Sequence, residues 1–253
     1  MHLNNIHVLV TRPAHQAEPL CQRIEAMGGV AIRLPVLEIV PLIDREALFA
    51  CQAQLDHINM LIFISVNAVE YGLPNLLNNE KTFSKQLSVV AIGKKTAEAL
   101  QAWGIDALCA PAPYNTEALL SLPMMQHLTG QRIVIVRGEG GREVLAEQLY
   151  ARGAQVDYLN VYRRERPLTS SLPTIRPDIM IVTSSEGLHN LLSLLANQSW
   201  VKQTPLIVMS ERTRVEALSL GFQAPVLVAT AANDEGLLTM LVYWQTKERF
   251  ANR

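Results

Sequence analysis

The stretch VLVTRP at residues 8–13, the helix-period run at 20–28 and VAIRLPVL at 30–37 decide how this chain folds, because they are written twice. Aligning Gly28 with Gly153 and Val36 with Val161 brings up VIVRGEGG at 134–141, a helical run at 145–153 and QVDYLNVY at 155–162, about 125 residues later. The sequence between the copies recurs too. LIFISVNAV (61–69) returns as IMIVTSSEG (179–187), VVAIGKKTAEAL (89–100) as LIVMSERTRVEAL (206–218), and Asn115-Thr116-Glu117 as Asn233-Asp234-Glu235. The order A, B, A′, B′ implies two similar α/β lobes with a cleft between them. A joined to B would complete a lobe, and so would A joined to B′, so the repeat alone leaves the pairing open.

Short Val- and Ile-rich runs at 7–10, 60–64, 89–92, 132–136, 179–182, 206–209 and 226–229 lack polar alternation. Each precedes a polar or glycine turn and then a segment of helical period, such as 96–103 or 213–220, which predicts parallel sheets covered by helices on both faces. Two segments break this rhythm at corresponding points of the repeat: Leu34-Pro35-Val36-Leu37-Glu38-Ile39-Val40-Pro41 and Asn160-Val161-Tyr162-Arg163-Arg164-Glu165-Arg166-Pro167. Both are extended, β-prone and closed by proline, as a pair of connectors would be. If they cross together, one lobe runs continuously between them and the other is assembled from both chain ends.

At 253 residues the chain can hold two domains, and 49% hydrophobic with 18% charged residues is enough to bury a core in each. A net charge of −1 argues against a nucleic-acid surface, which needs a concentrated basic face. Cys21, Cys51 and Cys109 are odd in number and far apart, as bystander thiols of a reducing cytoplasm are. The start MHLNNIHVLV has neither the basic region nor the apolar length of a signal peptide, and no stretch reaches a membrane span of ~20 residues. A cytoplasmic, unexported protein is expected.

In doubly wound sheets ligands bind beyond the carboxyl ends of the strands, where loops enter helix N-termini. Those loops here carry Thr11-Arg12-Pro13, Ser65-Val66-Asn67, Gly93-Lys94-Lys95-Thr96, Arg137-Gly138, Thr183-Ser184-Ser185 and Ser210-Glu211-Arg212-Thr213. Singly, each small polar residue reads as a helix cap; their recurrence after nearly every strand favours binding of an anionic ligand. Sharper motifs fail. Gly138-Glu139-Gly140-Gly141 follows a strand, but Glu143 stands where a dinucleotide fingerprint needs its third glycine. Gly93-Lys94-Lys95-Thr96 lacks the upstream glycine and the following hydroxyl of a phosphate loop. The six histidines show no ligand spacing, and no G-x-S-x-G elbow is present.

The ordered set Val10-Thr11-Arg12-Pro13, Phe63-Ile64-Ser65-Val66-Asn67-Ala68-Val69, Val90-Ala91-Ile92-Gly93-Lys94-Lys95-Thr96-Ala97, Asn160-Val161-Tyr162 and Ser210-Glu211-Arg212-Thr213, with the Pro35 and Pro167 connectors, resembles the uroporphyrinogen-III synthase family. The resemblance runs from Val8 to Leu241. It implies two flavodoxin-like α/β lobes with parallel sheets joined by a two-stranded β linker (strands about 35–41 and 160–167): residues 1–37 plus 168–253, and residues 38–167 inserted. It further implies a cofactor-free, metal-free lyase of haem biosynthesis that closes hydroxymethylbilane, a linear tetrapyrrole with eight carboxylates, while inverting ring D through a spiro-pyrrolenine. A monomer is implied, with a transient contact to the upstream hydroxymethylbilane synthase and no nucleic-acid or membrane partner.

Carried onto this chain, the resemblance implies Tyr162 as the catalytic residue. It would face the cleft from the connector and donate to the departing hydroxyl, or else only pack the linker. Substrate-binding residues would be Arg12, Ser65, Asn67, Gly93, Thr96, Arg137, Gly138, Ser184, Ser185, Ser210 and Thr213. Thr96 and Thr213 match family cleft threonines and read equally as helix caps. The acids Glu139, Glu211 and Asp234 lie among the cations, so backbone N–H groups are expected to hold more of the carboxylates than Arg12, Lys94, Arg137 or Arg212. The rival reading is a two-lobed small-molecule binding or sensor protein without catalysis; a nucleotide-dependent transferase would rest on the Gly138 loop alone.

Overall fold

Short apolar runs without polar alternation form strands covered on both faces, and in β4 (Met60–Phe63) and β9 (Ile179–Val182) every residue is buried. The computed structural model describes residues 2–42, 44–77, 83–84, 86–141, 143–167 and 172–251. It divides into two compact units, Met1–Glu38 with Glu165–Arg253, and Ile39–Arg164.

In the first unit β1 (His7–Val10), β2 (Val30–Arg33), β9, β10 (Leu206–Val208) and β11 (Val226–Val228) make a sheet in the order β11-β10-β9-β1-β2, every pair parallel. Counted along the chain this is the flavodoxin-like order 2-1-3-4-5. Alternate residues of β1 and β9 divide between two cores. Val8, Val10, Ile179 and Ile181 pack with α1 (Ala14–Ala26) and α9 (Asp234–Ala251). Leu9, Met180 and Val182 pack on the other face with α7 (Ser185–Leu194) and α8 (Glu211–Ser219).

In the second unit β3 (Glu38–Pro41), β4, β5 (Ser88–Ala91), β6 (Leu108–Cys109), β7 (Arg132–Gly138) and β8 (Gln155–Glu165) are ordered β3-β8-β7-β4-β5-β6. Apart from the added β3 the spatial order matches the first unit, with the chain entering at the third strand instead of the first. The sheet is flanked by α2 (Arg45–Ala53), α3 (Val66–Leu77), α4 (Lys94–Ala102), α5 (Thr116–Leu120) and α6 (Val144–Ala151). Gly72 of α3 lets this helix close onto the sheet: a Cβ there would lie 2.8 Å from Val136 Cγ1.

The expected linker strands take a different form. They are β3 and the C-terminal part of β8, neighbours within the second sheet rather than a separate ladder, with the Leu42 N–H donating to the Val161 carbonyl at 3.0 Å. Extending an existing sheet leaves fewer unpaired backbone groups than a free two-stranded ribbon. Residues 35–37 and 166–167 lie outside any strand.

Candidate functional site

The order 2-1-3-4-5 reverses direction between its first and third strands, and a ligand crevice forms at such a switch point. In the second unit that point lies between β7 and β4. Ser65 follows β4 and caps α3, its Oγ accepting from the Ala68 N–H at 3.0 Å. The same Oγ lies 3.1 Å from the Tyr162 hydroxyl. The Tyr162 ring lies over Gly138 so closely that a Cβ at 138 would be 2.4 Å from its Cε2. Tyr71 of α3 flanks the ring at a centroid distance of 6.1 Å. Thus Ser65, Gly138 and Tyr162 form one cluster. Tyr162 is only 2% exposed, its long apolar ring filling the space above Gly138.

Arg137, two residues beyond Ile135 on the same face of β7, is 4% exposed. Its Nε donates to the Gly138 carbonyl at 3.2 Å, its Nη1 lies 3.3 Å from Glu143 Oε1, and its guanidinium sits 4.7 Å from the centre of the Tyr158 ring. The Tyr158 hydroxyl donates to the other Glu143 oxygen. Burial, reinforced by this carboxylate, pushes the Tyr158 pKa up to about 12, so the phenol stays a proton donor. Gly141, at φ +103°, passes the guanidinium where a Cβ would stand 2.8 Å from Nη2.

Gly93 caps α4 without a side-chain oxygen over the first turn. Thr96 is buried within that turn, and Asn67 is the second residue of α3. In the first unit the helix starts follow the same plan. Ser184 caps α7 through the Gly187 N–H at 3.0 Å, and Ser210 caps α8 through the Thr213 N–H at 3.3 Å. Thr213 is buried, with Oγ1 2.9 Å from Ser210 Oγ. Helices α4 and α8 begin at Lys94 and Glu211, so Thr96 and Thr213 are first-turn residues and the caps are Gly93 and Ser210. The Ser185 hydroxyl is buried with no partner at full hydrogen-bonding distance, yet it and then His189 hold the Glu216 carboxylate below its ordinary range. Arg12 follows β1 by two residues and pairs with Asp234 at 2.5 Å, its side chain 12% exposed. Nearby, the Thr11 hydroxyl donates to the Ile181 carbonyl at 2.9 Å, tying β1 to β9 at this unit's switch point.

Two cations proposed for carboxylate recognition, Arg12 and Arg137, therefore each meet an acid of their own unit. Four of the expected binding positions, Ser65, Gly93, Ser184 and Ser210, are helix caps, and Ser185, Thr96 and Thr213 lie in the first turns behind them. Glu143 and Tyr158 join the site through Arg137, and no sequence motif marks either of them. The signal for Tyr158 was its register, opposite Ile135 on β7 and hence on the face of Arg137. Among the described residues no three His, Cys, Asp or Glu side chains gather as a metal ion would require.

Two sheets of like strand order, with helix starts at their strand carboxyl ends, define a two-unit α/β protein of the flavodoxin-like kind. The family model described as uroporphyrinogen-III synthase HemD matches residues 18–239. The chain is 32% identical over 246 residues to the uroporphyrinogen-III synthase of Escherichia coli, covering 92% of this chain and 99% of that protein. It is 33% identical over 244 residues to that of Salmonella typhimurium, with the same coverage. This chain belongs to the uroporphyrinogen-III synthase family. Its fold is shared with a mutant uroporphyrinogen III synthase from Thermus thermophilus (TM-score 0.61, 16% identity, 95% and 99% of the chains). The uroporphyrinogen-III synthetase of Helicobacter pylori is also alike (TM-score 0.58, 17% identity, 94% and 99%).

Proposed function

We propose that this protein is a cyclising lyase that converts hydroxymethylbilane to uroporphyrinogen III. The observation that carries this reading is the likeness to synthases along nearly their whole length. The substrate loses its terminal hydroxyl as water, giving an azafulvene. Ring D attacks through its substituted α-carbon, the spiro-pyrrolenine fragments, and the chain recloses inverted. Because the substrate supplies its own electrophile, the protein's task is mainly orientation, worth up to ~7–11 kcal/mol in well-aligned intramolecular reactions.

Tyr162 is the proposed donor to the departing hydroxyl, and Ser65 orients it; substrate must reach the hydroxyl on the Ser65 side, since the ring is buried. The strand-end set Arg12, Asn67, Gly93, Thr96, Arg137, Gly138, Ser184, Ser185, Ser210 and Thr213 is proposed to hold carboxylates, with the two units acting as domains. Helix-start N–H groups carry most of this binding, because Arg12 and Arg137 already have acid partners. No helix among the described residues is long and apolar enough to cross a membrane. A cytoplasmic monomer receiving its labile substrate from hydroxymethylbilane synthase fits this role. The test is to supply freshly generated hydroxymethylbilane and separate the product isomers. The inverted isomer is expected in excess; only the uninverted isomer, at the spontaneous rate, refutes the activity.

A further inference from the structure

Beneath the strand ends of the second unit lies a cavity of about 220 Å³, lined by Ile64, Ile92, Ile135 and Leu145, with Thr116, Arg137 and Tyr158 as its polar members. Its size falls below the roughly 300–1,000 Å³ of pockets that enclose a whole ligand. It can hold one short arm of a larger molecule. The lining makes the arm's chemistry specific: four aliphatic side chains suit a methylene stem, while a buried guanidinium and a phenol suit a carboxylate tip.

In the free protein these two donors already hold a carboxylate. Glu143 spans them, one oxygen on Arg137 and the other on Tyr158, from a side chain that is 56% exposed. Arg137 is 4% exposed and would be left as a buried, uncompensated cation if Glu143 simply departed. Exchange for another carboxylate avoids that cost, because the same donors are satisfied before and after. Glu143 stands at the start of α6, after the Gly140 and Gly141 turn, both at positive φ. The phenol remains protonated throughout the neutral range, so it donates to either occupant.

We infer that this cavity is a subsite for one alkyl-carboxylate arm of the substrate, and that Glu143 is a stand-in which the arm displaces. The inference rests on the synthase reading above. It adds Tyr158, Glu143 and Thr116 as specificity-determining positions.

Two variants test it from opposite directions, with KM, kcat and product isomers measured on hydroxymethylbilane. Glu143→Gln keeps the shape but weakens the competitor, so KM should fall by about threefold to tenfold. Thr116→Trp fills the cavity from its half-exposed rim, so KM should rise about tenfold or more with kcat and isomer ratio unchanged. An unchanged or raised KM in Glu143→Gln overturns the stand-in role, since a mere loop clamp would weaken binding when cut. An unchanged KM in a folded Thr116→Trp overturns the subsite; if that variant melts below the assay temperature, Glu143→Gln decides alone. Wild-type protein giving no inverted isomer would remove the synthase reading and the subsite with it, whereas inverted product with both KM values unmoved removes the subsite only.

Discussion

The Ser65 Oγ and the Tyr162 hydroxyl lie 3.1 Å apart at the switch point of the second sheet, joining the loop after β4 to the strand that leaves this unit. Ser65 simultaneously caps α3, so one hydroxyl couples a helix start to the proposed proton donor. Replacing Tyr162 by Phe should slow inverted product formation by ~10²–10⁴ if the phenol acts as a general acid. The ring's packing is retained, so the melting temperature should stay within a few degrees. An inverted-product rate equal to wild type takes Tyr162 out of the mechanism.

Gly138 separates the packing role of Tyr162 from its chemistry. Its α-hydrogens are all the space allows, because a Cβ would stand 2.4 Å and 2.5 Å from ring atoms Cε2 and Cζ. Gly138→Ala should cost about 1–3 kcal/mol from overpacking and lower turnover together, since the ring must shift off Ser65. Urea unfolding and steady-state kinetics on the same sample check this; full stability with full activity would mean the ring relaxes freely.

Thr96 and Thr213 occupy equivalent first turns and are both buried. Thr213→Ala deletes the hydroxyl bonded to Ser210 and should cost about 1 kcal/mol of stability. Thr96→Ala and Thr213→Ala are both expected to lower kcat/KM by more than their stability losses account for, as substrate contacts do. Thermal melts paired with turnover separate the two effects, and a turnover loss no larger than the melting loss accounts for would assign that threonine to structure.

Tyr158 makes the stability depend on alkali. Its folded pKa, near 12, lies above the ordinary value of 10.0 for the unfolded chain. The raised value means the folded state holds its proton more tightly, so this contribution is complete below pH ~10 and is lost as the pH rises toward ~12. Tyrosinate absorbance should show a step near pH 12, and Tyr158→Phe should abolish that step. A step that persists unchanged in the variant assigns it to another tyrosine.

The repeat was legible in the sequence because apolar runs and helix periods survive divergence: any residue of similar size fills a strand covered on both faces. Its register was less legible. LIFISVNAV lines up with IMIVTSSEG so that Ser65 meets Thr183, whereas the caps of α3 and α7 make Ser65 equivalent to Ser184. Apolar strands carry no internal mark of register; a cap does, because its oxygen must sit over a particular N–H.

Sequence by itself determined two parallel α/β halves and the strand-end loops with their hydroxyls. Tertiary structure decided that the first copy of A pairs with the second copy of B, since β1 lies beside β9 and β7 beside β4. Either pairing satisfies the same hydrophobic pattern, and only the hydrogen bonds between strands distant in the chain choose. Partnership was likewise hidden: the pairing of Arg12 with Asp234 and of Arg137 with Glu143 and Tyr158, and the contact of Ser65 with Tyr162, join residues by register and loop path rather than by spacing.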